Sequence, residues 1–247
     1  MADALKADEC QIYTDVDGVY TTDPRVVPEA RKMDFITYDE MLELASLGAK
    51  VLHSRSVELA KNFKVPLQVL STFTGNPGTM VVKEYEHMED IVVSGVAFNR
   101  QEAKISIIGI PDTPGMAANL FAALGDAKVV VDMIIQNVGT DNANDITFTV
   151  LEEDFLAAKD LAEQWARDNG AEGVLTDSDI GKVSVVGVGM KSHSGVARTM
   201  FGALAKENIN IQMISTSEIK ISVVLDEKYL ELAVRVLHKA FGLENAA

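Results

Sequence analysis

Lys104-Ile-Ser-Ile-Ile-Gly-Ile110 returns later in the chain as Lys182-Val-Ser-Val-Val-Gly-Val188, and this pair of stretches decides the fold. The likeness continues outward in the same order. Pro114-Gly115-Met116-Ala117 matches Ser194-Gly195-Val196-Ala197, and Phe121-Ala-Ala-Leu124 matches Phe201-Gly-Ala-Leu204. Val131-Asp-Met-Ile134 matches Ile211-Gln-Met-Ile214, and Ile146-Thr-Phe-Thr-Val150 matches Ile221-Ser-Val-Val-Leu225. Strand, loop, helix, strand and strand keep register, which marks an internal repeat rather than two β-rich segments alike by chance.

Each unit reads β-α-β-β-α. Leu120, Phe121 and Leu124 share one face of a first helix, and Phe155, Ala158, Leu161, Ala162 and Trp165 share one face of a second. In the later unit Val196, Met200, Phe201 and Leu204, then Leu232, Ala233, Val236, Leu237 and Ala240, do the same. Both helices then cover one face of an antiparallel sheet. The first unit has a fourth strand at 173–176 after its second helix, whereas the second has none. The apolar run 91–98 (Ile-Val-Val-Ser-Gly-Val-Ala-Phe) precedes both repeats and is expected to fill the vacancy. The first unit is thus predicted to be inserted into the second.

Upstream, residues 2–8 read as the end of a helix and Ile12-Tyr13 as a strand running into Thr14-Asp-Val-Asp-Gly18, so the chain is expected to begin inside a larger domain. A helix is predicted over 38–47, with Thr37 as N-cap and Glu40 as its capping-box partner. Gly48 ends it. A second helix at 54–63, a strand at 65–70, the turn Gly75-Asn-Pro-Gly78 and a strand at 79–82 follow. Residues 83–90 are polar and read as a linker.

Composition sets the outer limits. The 247 residues are 47% hydrophobic and 24% charged, with net charge −15. That suits folded domains with real cores, and the negative field argues against nucleic acid or an anionic membrane as partner. No apolar run is long enough to span a bilayer, and the first residues lack a signal-peptide pattern. The one cysteine, Cys10, has no internal disulfide partner, and a reduced, cytoplasmic protein is expected. The four histidines (53, 87, 193, 238) show no metal-ligand spacing.

The loops after the first strands of the repeats, Pro111–Met116 and Gly189–Gly195, place backbone N–H groups at helix N-termini, an arrangement suited to an amino-acid carboxylate. Asp112 or Asp132 can hold an ammonium, and Gln136 and Asn137 can bridge both ends. A plain tight turn capping a helix is the alternative. His193 between Ser192 and Ser194 is no triad, because sequence neighbours rarely meet in useful geometry, and no catalytic or metal-binding residue is assigned. In the first region Thr14, Asp15 and Tyr20 can line a base or ribose, and Arg25 and Lys50 can face phosphates. An acidic loop that binds nothing is the alternative. Asp15-Val-Asp17-Gly18 lacks the remaining ligands of a calcium loop, and no Walker motif is present.

Tyr13-Thr-Asp-Val-Asp-Gly-Val-Tyr-Thr-Thr-Asp-Pro-Arg25 and Tyr38-Asp-Glu-Met-Leu-Glu-Leu-Ala-Ser-Leu-Gly-Ala-Lys-Val-Leu-His53 resemble segments of aspartate kinases, as do Gly187-Val-Gly-Met-Lys-Ser-His193 and Ile214-Ser-Thr-Ser-Glu-Ile-Lys-Ile-Ser222. The resemblance covers essentially the whole chain and is to the two-subunit, lysine- and threonine-regulated type, whose smaller subunit carries tandem ACT domains. It implies an α+β fold: two ferredoxin-like βαββαβ ACT domains, the first inserted into the second, preceded by a partial α/β amino-acid kinase domain. The expected boundaries are 1–82 for the kinase fragment, 83–90 for the linker, 91–98 with 182–247 for the second ACT domain, and 103–181 for the first.

The resemblance also implies function. The family phosphorylates the side-chain carboxylate of aspartate with ATP and Mg2+, at the entry to lysine, threonine and methionine synthesis. Carried over by motif, Thr14, Asp15, Tyr20, Arg25, Lys50 and Val51 are expected ATP contacts. Asp112, Thr113, Pro114, Gly115, Met116, Ala117, Val130, Val131, Asp132, Gln136 and Thr147 are the expected effector residues of the first ACT domain. Lys191, Ser192, His193, Ser194, Gly195, Val196, Asn210, Ile211, Ser217 and Glu218 are those of the second. Threonine, lysine or both are the expected effectors, and a homodimer through the ACT domains and a larger catalytic subunit are the expected partners. The family carries His-Pro-Arg where this chain has His53-Ser54-Arg55, predicting a looser helix start, and Asn in place of Val130. The family's Lys-Phe-Gly-Gly motif does not occur, so the isolated chain is expected to be inactive, since phosphoryl transfer rests on positioning and charge stabilisation. The two alternatives are a kinase subunit active once assembled with its missing part, and a structural dimerisation module without ligand.

Overall fold

The computed structural model describes residues 2–48, 51–85, 88, 91–139 and 143–245. The chain divides into two compact units, one formed by 1–99, 182–225 and 229–247, the other by 100–181 and 226–228.

In the first unit a short helix α1 (Ala2–Leu5) precedes β1 (Cys10–Thr14), β2 (Phe35–Thr37), α2 (Tyr38–Ser46), α3 (Ser54–Phe63), β3 (Leu67–Ser71) and β4 (Thr79–Val82). The strands form a sheet of order β1-β3-β4-β2, with β1 parallel to β3, β4 antiparallel to β3, and β2 parallel to β4. Ile36, Met41, Leu44, Val57, Val69 and Val81 fill its core. Helix α2 starts as its sequence dictates: the Thr37 hydroxyl accepts from the Glu40 N–H and the Glu40 carboxylate accepts from the Thr37 N–H, a complete capping box. Helix α3 keeps a defined start without proline, because the His53 Nδ1 accepts the Arg55 N–H at 3.2 Å. Its last turn closes on Lys64 in the left-handed region, φ 57°.

The second unit contains residues 100–111 of β5 (Gly95–Pro111), then α4 (Met116–Asp126), β6 (Val131–Val138), β7 (Ala143–Leu151), α5 (Phe155–Asn169) and residues 173–181 of β8 (Gly173–Val186). Its strand order is β6-β7-β5-β8, the ferredoxin-like arrangement. Ile105, Ile107, Phe148, Leu120, Leu124 and Ala162 meet between sheet and helices, and the Phe121 and Phe148 rings pack edge to face at 5.9 Å. The fourth strand is longer than the 173–176 predicted, because the chain stays extended into the next repeat.

The later repeat lies in the first unit. Residues 182–186 of β8 lead to α6 (Val196–Lys206), β9 (Met213–Thr216), β10 (Lys220–Asp226) and α7 (Leu230–Ala240). The strand order is β5-β8-β10-β9, so residues from 95 onward border β8. Val93 and Val96 share one core with Val183, Val185, Val223, Met200 and Leu237, and the Ser94 N–H donates to the Val186 carbonyl at 2.7 Å. The regular strand begins at Gly95 rather than at 91, and the Ser94 hydroxyl just before it donates to Glu40. Gly187 passes so close to this segment that a Cβ would stand 2.4 Å from the Val92 carbonyl oxygen.

The first unit also ties its early segment to its later repeat. Glu43 and Lys220 pair at 2.8 Å, and the Val96 N–H donates to the Thr21 carbonyl at 2.7 Å. His238 on α7, 1% exposed, places its Nε2 at 2.9 Å from the Thr21 hydroxyl. Burial lowers the His238 pKa, opposed by Glu244 and Glu29.

Candidate effector cleft and nucleotide wall

In the second unit β5 ends in a bulge between Ile107 and Ile110, where Gly109 adopts φ 65° and donates its N–H to Asp145 Oδ1 at 2.9 Å. The bulge redirects the strand end, and the chain then runs through Asp112-Thr113-Pro114 to Gly115. Gly115 stands at φ 98° as N-cap of α4, and no side chain caps that helix. Met116 donates its N–H to the Thr113 carbonyl at 3.4 Å, and the remaining first-turn N–H groups and the helix dipole face the loop with no side-chain cap.

A cleft of about 270 Å3 opens over this loop, lined by Asp112 to Ala117 together with Ile110, Gln136, Asn144 and Ile146. Of the residues predicted for an effector site in this repeat, those six loop residues and Gln136 meet there. Val130, Val131, Asp132 and Thr147 do not line it. Val130 is 63% exposed and its N–H donates to Asp154 Oδ2 at 3.3 Å. Val131 pairs with Val150, Asp132 is exposed on β6, and the Thr147 hydroxyl donates to Ser106 at 2.8 Å.

Asn144 was missed from the sequence. It is 7% exposed, and its Nδ2 donates to Asp112 Oδ1 at 2.9 Å. Its Oδ1 is buried with no partner. Exchanging the amide atoms would set that oxygen against the Asp112 carboxylate, so the assignment stands on charge. An unmade bond of this kind costs about 1–3 kcal/mol. Asn144 falls in the polar run Thr140-Asp-Asn-Ala-Asn-Asp145, where nothing sets it apart from its neighbours.

The matching loop of the later repeat has the same frame. Gly195 stands at φ 97° as N-cap of α6, again without a capping side chain. Lys191 pairs with Glu218 at 2.9 Å, which raises the lysine pKa. The His193 Nδ1 lies 2.8 Å from the Gly189 carbonyl and 3.4 Å from the Ser192 hydroxyl. Ser194 is exposed, Val196 is buried at the head of α6, Asn210 is exposed, and Ile211 packs on the core. The Ser217 N–H donates to the Lys220 carbonyl at 2.8 Å.

The first region offers one wall of a polar site. Thr14 and Ser71 are opposite residues at the carboxyl ends of parallel β1 and β3, the usual place for a ligand beside parallel strands. The Thr14 hydroxyl donates to the exposed Asp15 at 3.0 Å. Arg25 is exposed and held by Asp23 at 2.7 Å, and this pairing lowers the Asp23 pKa. Tyr20 bridges to Lys32, and Val51 packs against the sheet core. Lys50 lies outside the described residues, as do four positions of the 83–90 linker. The hydroxyls and the exposed guanidinium fit a nucleotide in part, although a phosphate would have to compete with Asp23. Among the described residues no group of three metal-ligating side chains occurs, and no helix is long and apolar enough to cross a membrane.

Comparison with known proteins agrees with this architecture. The ACT domain model matches 105–164 and 183–241, and the amino acid kinase family model matches 1–71. Aspartokinase of Pseudomonas aeruginosa is 61% identical over all of this chain, which spans 60% of that protein's length. The chain thus covers about three fifths of such relatives. The structure of the regulatory subunit of aspartate kinase from Thermus thermophilus is 43% identical, with TM-score 0.57, over 61% of this chain and 99% of that one. E. coli aspartokinase III in complex with lysine and aspartate is 27% identical, with TM-score 0.75, over 98% of this chain and 53% of that one. With tandem ACT repeats behind a partial amino-acid kinase segment, the chain belongs to the aspartate kinase family.

Proposed function

We propose that this chain is the regulatory part of an aspartate kinase and that it binds free lysine, threonine or both to restrain ATP-dependent phosphorylation of aspartate. The observation that carries this reading is the cleft over Asp112 to Ala117. It joins an uncapped helix N-terminus, suited to a carboxylate, to the Asp112 carboxylate, suited to an ammonium. Its volume, about 270 Å3, lies just under the range of about 300–1,000 Å3 usual for larger ligands. The loop 191–196 with 210, 211, 217 and 218 is the corresponding face of the second ACT domain. The boundaries proposed are 1–82, 83–90, 91–98 with 182–247, and 103–181.

Association follows from the sheet edges. Strand β6 ends its sheet, and Val130 just before it and Ile134 and Val138 on it are 63%, 54% and 84% exposed. An edge of that kind invites a second copy. The remaining partner is a catalytic chain supplying the rest of the kinase, in the cytoplasm. ATP with Mg2+ supplies the phosphoryl group there, while Thr14, Asp15, Tyr20, Arg25, Lys50 and Val51 contribute one wall. In isolation the chain is inactive. Calorimetry with lysine and with threonine tests the reading: saturable heat with either supports it, and none with both refutes it. Turnover by the isolated chain at the rate of an assembled kinase would favour the enzyme reading instead.

A further inference from the structure

Glu40 is a carboxylate at 0% exposure whose two oxygens receive donors from three separate parts of the first unit. Oε2 accepts from the Thr37 N–H at 3.1 Å and the Thr37 hydroxyl at 2.8 Å. Oε1 accepts from the Ser94 hydroxyl and from the Val188 N–H at 3.0 Å. A carboxylate offers about four acceptor sites, and here all four are taken. The capping box alone needs only one oxygen. The second oxygen reaches the residue before β5 and the first residue of the turn Val188–Lys191, which opens the loop carrying Lys191 to Val196. Gly187, just before this turn, lies close against the same segment: a Cβ on it would stand 2.4 Å from the Val92 carbonyl oxygen and 3.0 Å from the Ser94 nitrogen.

We propose that Glu40 is a positioning residue that makes the start of α2 and the loop 188–193 adopt one conformation together, so that occupancy of the loop is transmitted to the kinase-family segment. Transmission rests on the amino-acid reading above, whereas the joint itself does not. Loss of the Val188 donor leaves an acceptor site of a buried carboxylate unmade unless Glu40 follows the turn, and a carboxylate that follows it disturbs its bonds to Thr37 and Ser94.

Amide hydrogen exchange on the full chain tests the joint without any ligand. Thr37→Val removes a Glu40 partner on the α2 side and touches nothing in the loop. Glu40→Gln keeps the shape and replaces one acceptor by a donor. The joint predicts at least tenfold faster exchange at 189–193 in both variants, with α6 at 196–206 within twofold of the parent chain. Loop exchange within twofold in both variants overturns it, as does uniform acceleration of the whole unit, which is what a merely structural role gives. A second arm repeats the exchange with saturating lysine or threonine. Protection at 38–40 in the parent chain that disappears in Glu40→Gln supports transmission, and its persistence in the variant overturns it. If calorimetry shows neither amino acid binding, the effector reading falls, and the ligand-free arm still decides the joint.

Discussion

Gly115 and Gly195 offer a prediction that the repeat doubles. Both stand at helix starts with φ 98° and 97°, and a Cβ on either would meet nothing within 4 Å. Substitution by alanine therefore costs only backbone strain, about 1–3 kcal/mol for a side chain held in a sparsely populated region. Alanine also narrows the unfolded ensemble, which returns about 0.4–1 kcal/mol. The net expectation is a loss of about 1–2 kcal/mol for Gly115→Ala and the same for Gly195→Ala. At about 4–8 °C per kcal/mol for a domain of 60–100 residues, the shift is readily measured. The single tryptophan provides the assay for the first: Trp165 is 6% exposed and its Nε1–H donates to Asn119 of α4 at 3.1 Å. Its fluorescence follows unfolding of the helix that Gly115 starts. Gly125→Ala, in the same helix with open space and no positive φ, is the control and should raise stability by about 0.5–1 kcal/mol. Equal effects of Gly115→Ala and Gly125→Ala, or stabilisation by both, would refute the argument from backbone conformation.

Further expectations concern the cleft, the core and pH. Gln136→Ala should weaken amino-acid binding about tenfold or more by calorimetry, the loss expected for a hydrogen bond to a charged group of about 1.5–3 kcal/mol, while leaving the Trp165 transition in place. Phe148→Ala, at a fully buried position, should cost about 3–5 kcal/mol and broaden or abolish that transition. For His238 the folded pKa lies below the ordinary 6.5, so the unfolded chain binds the proton more readily. Stability is then full above pH 6.5 and falls as pH drops below it toward the folded pKa. Denaturant titrations of His238→Gln should show a flatter dependence in that window, and an unchanged slope would contradict the assignment.

The repeat was legible because each strand and helix is encoded locally, by alternation on strands and by 3.6-residue spacing in Leu120, Phe121, Leu124 and their counterparts. The capping box was legible for the same reason, since Thr37 and Glu40 are three residues apart. The rest of Glu40's chemistry was not, because Ser94 and Val188 lie 54 and 148 residues away. The bulge at Gly109 was hidden because a glycine in an apolar strand signals several outcomes. Asn144 was hidden because its role depends on Asp112 arriving beside it across β5 and β7. Polar groups that matter through distant partners leave no periodic trace, whereas apolar faces do.

Backbone amide NMR of the chain titrated with lysine and then with threonine addresses the central claim most directly. Saturable shifts centred on Thr113, Gly115, Met116 and Ala117, absent or weakened in Gln136→Ala, are the predicted result. Titration with both amino acids that leaves those four amides unmoved would contradict it.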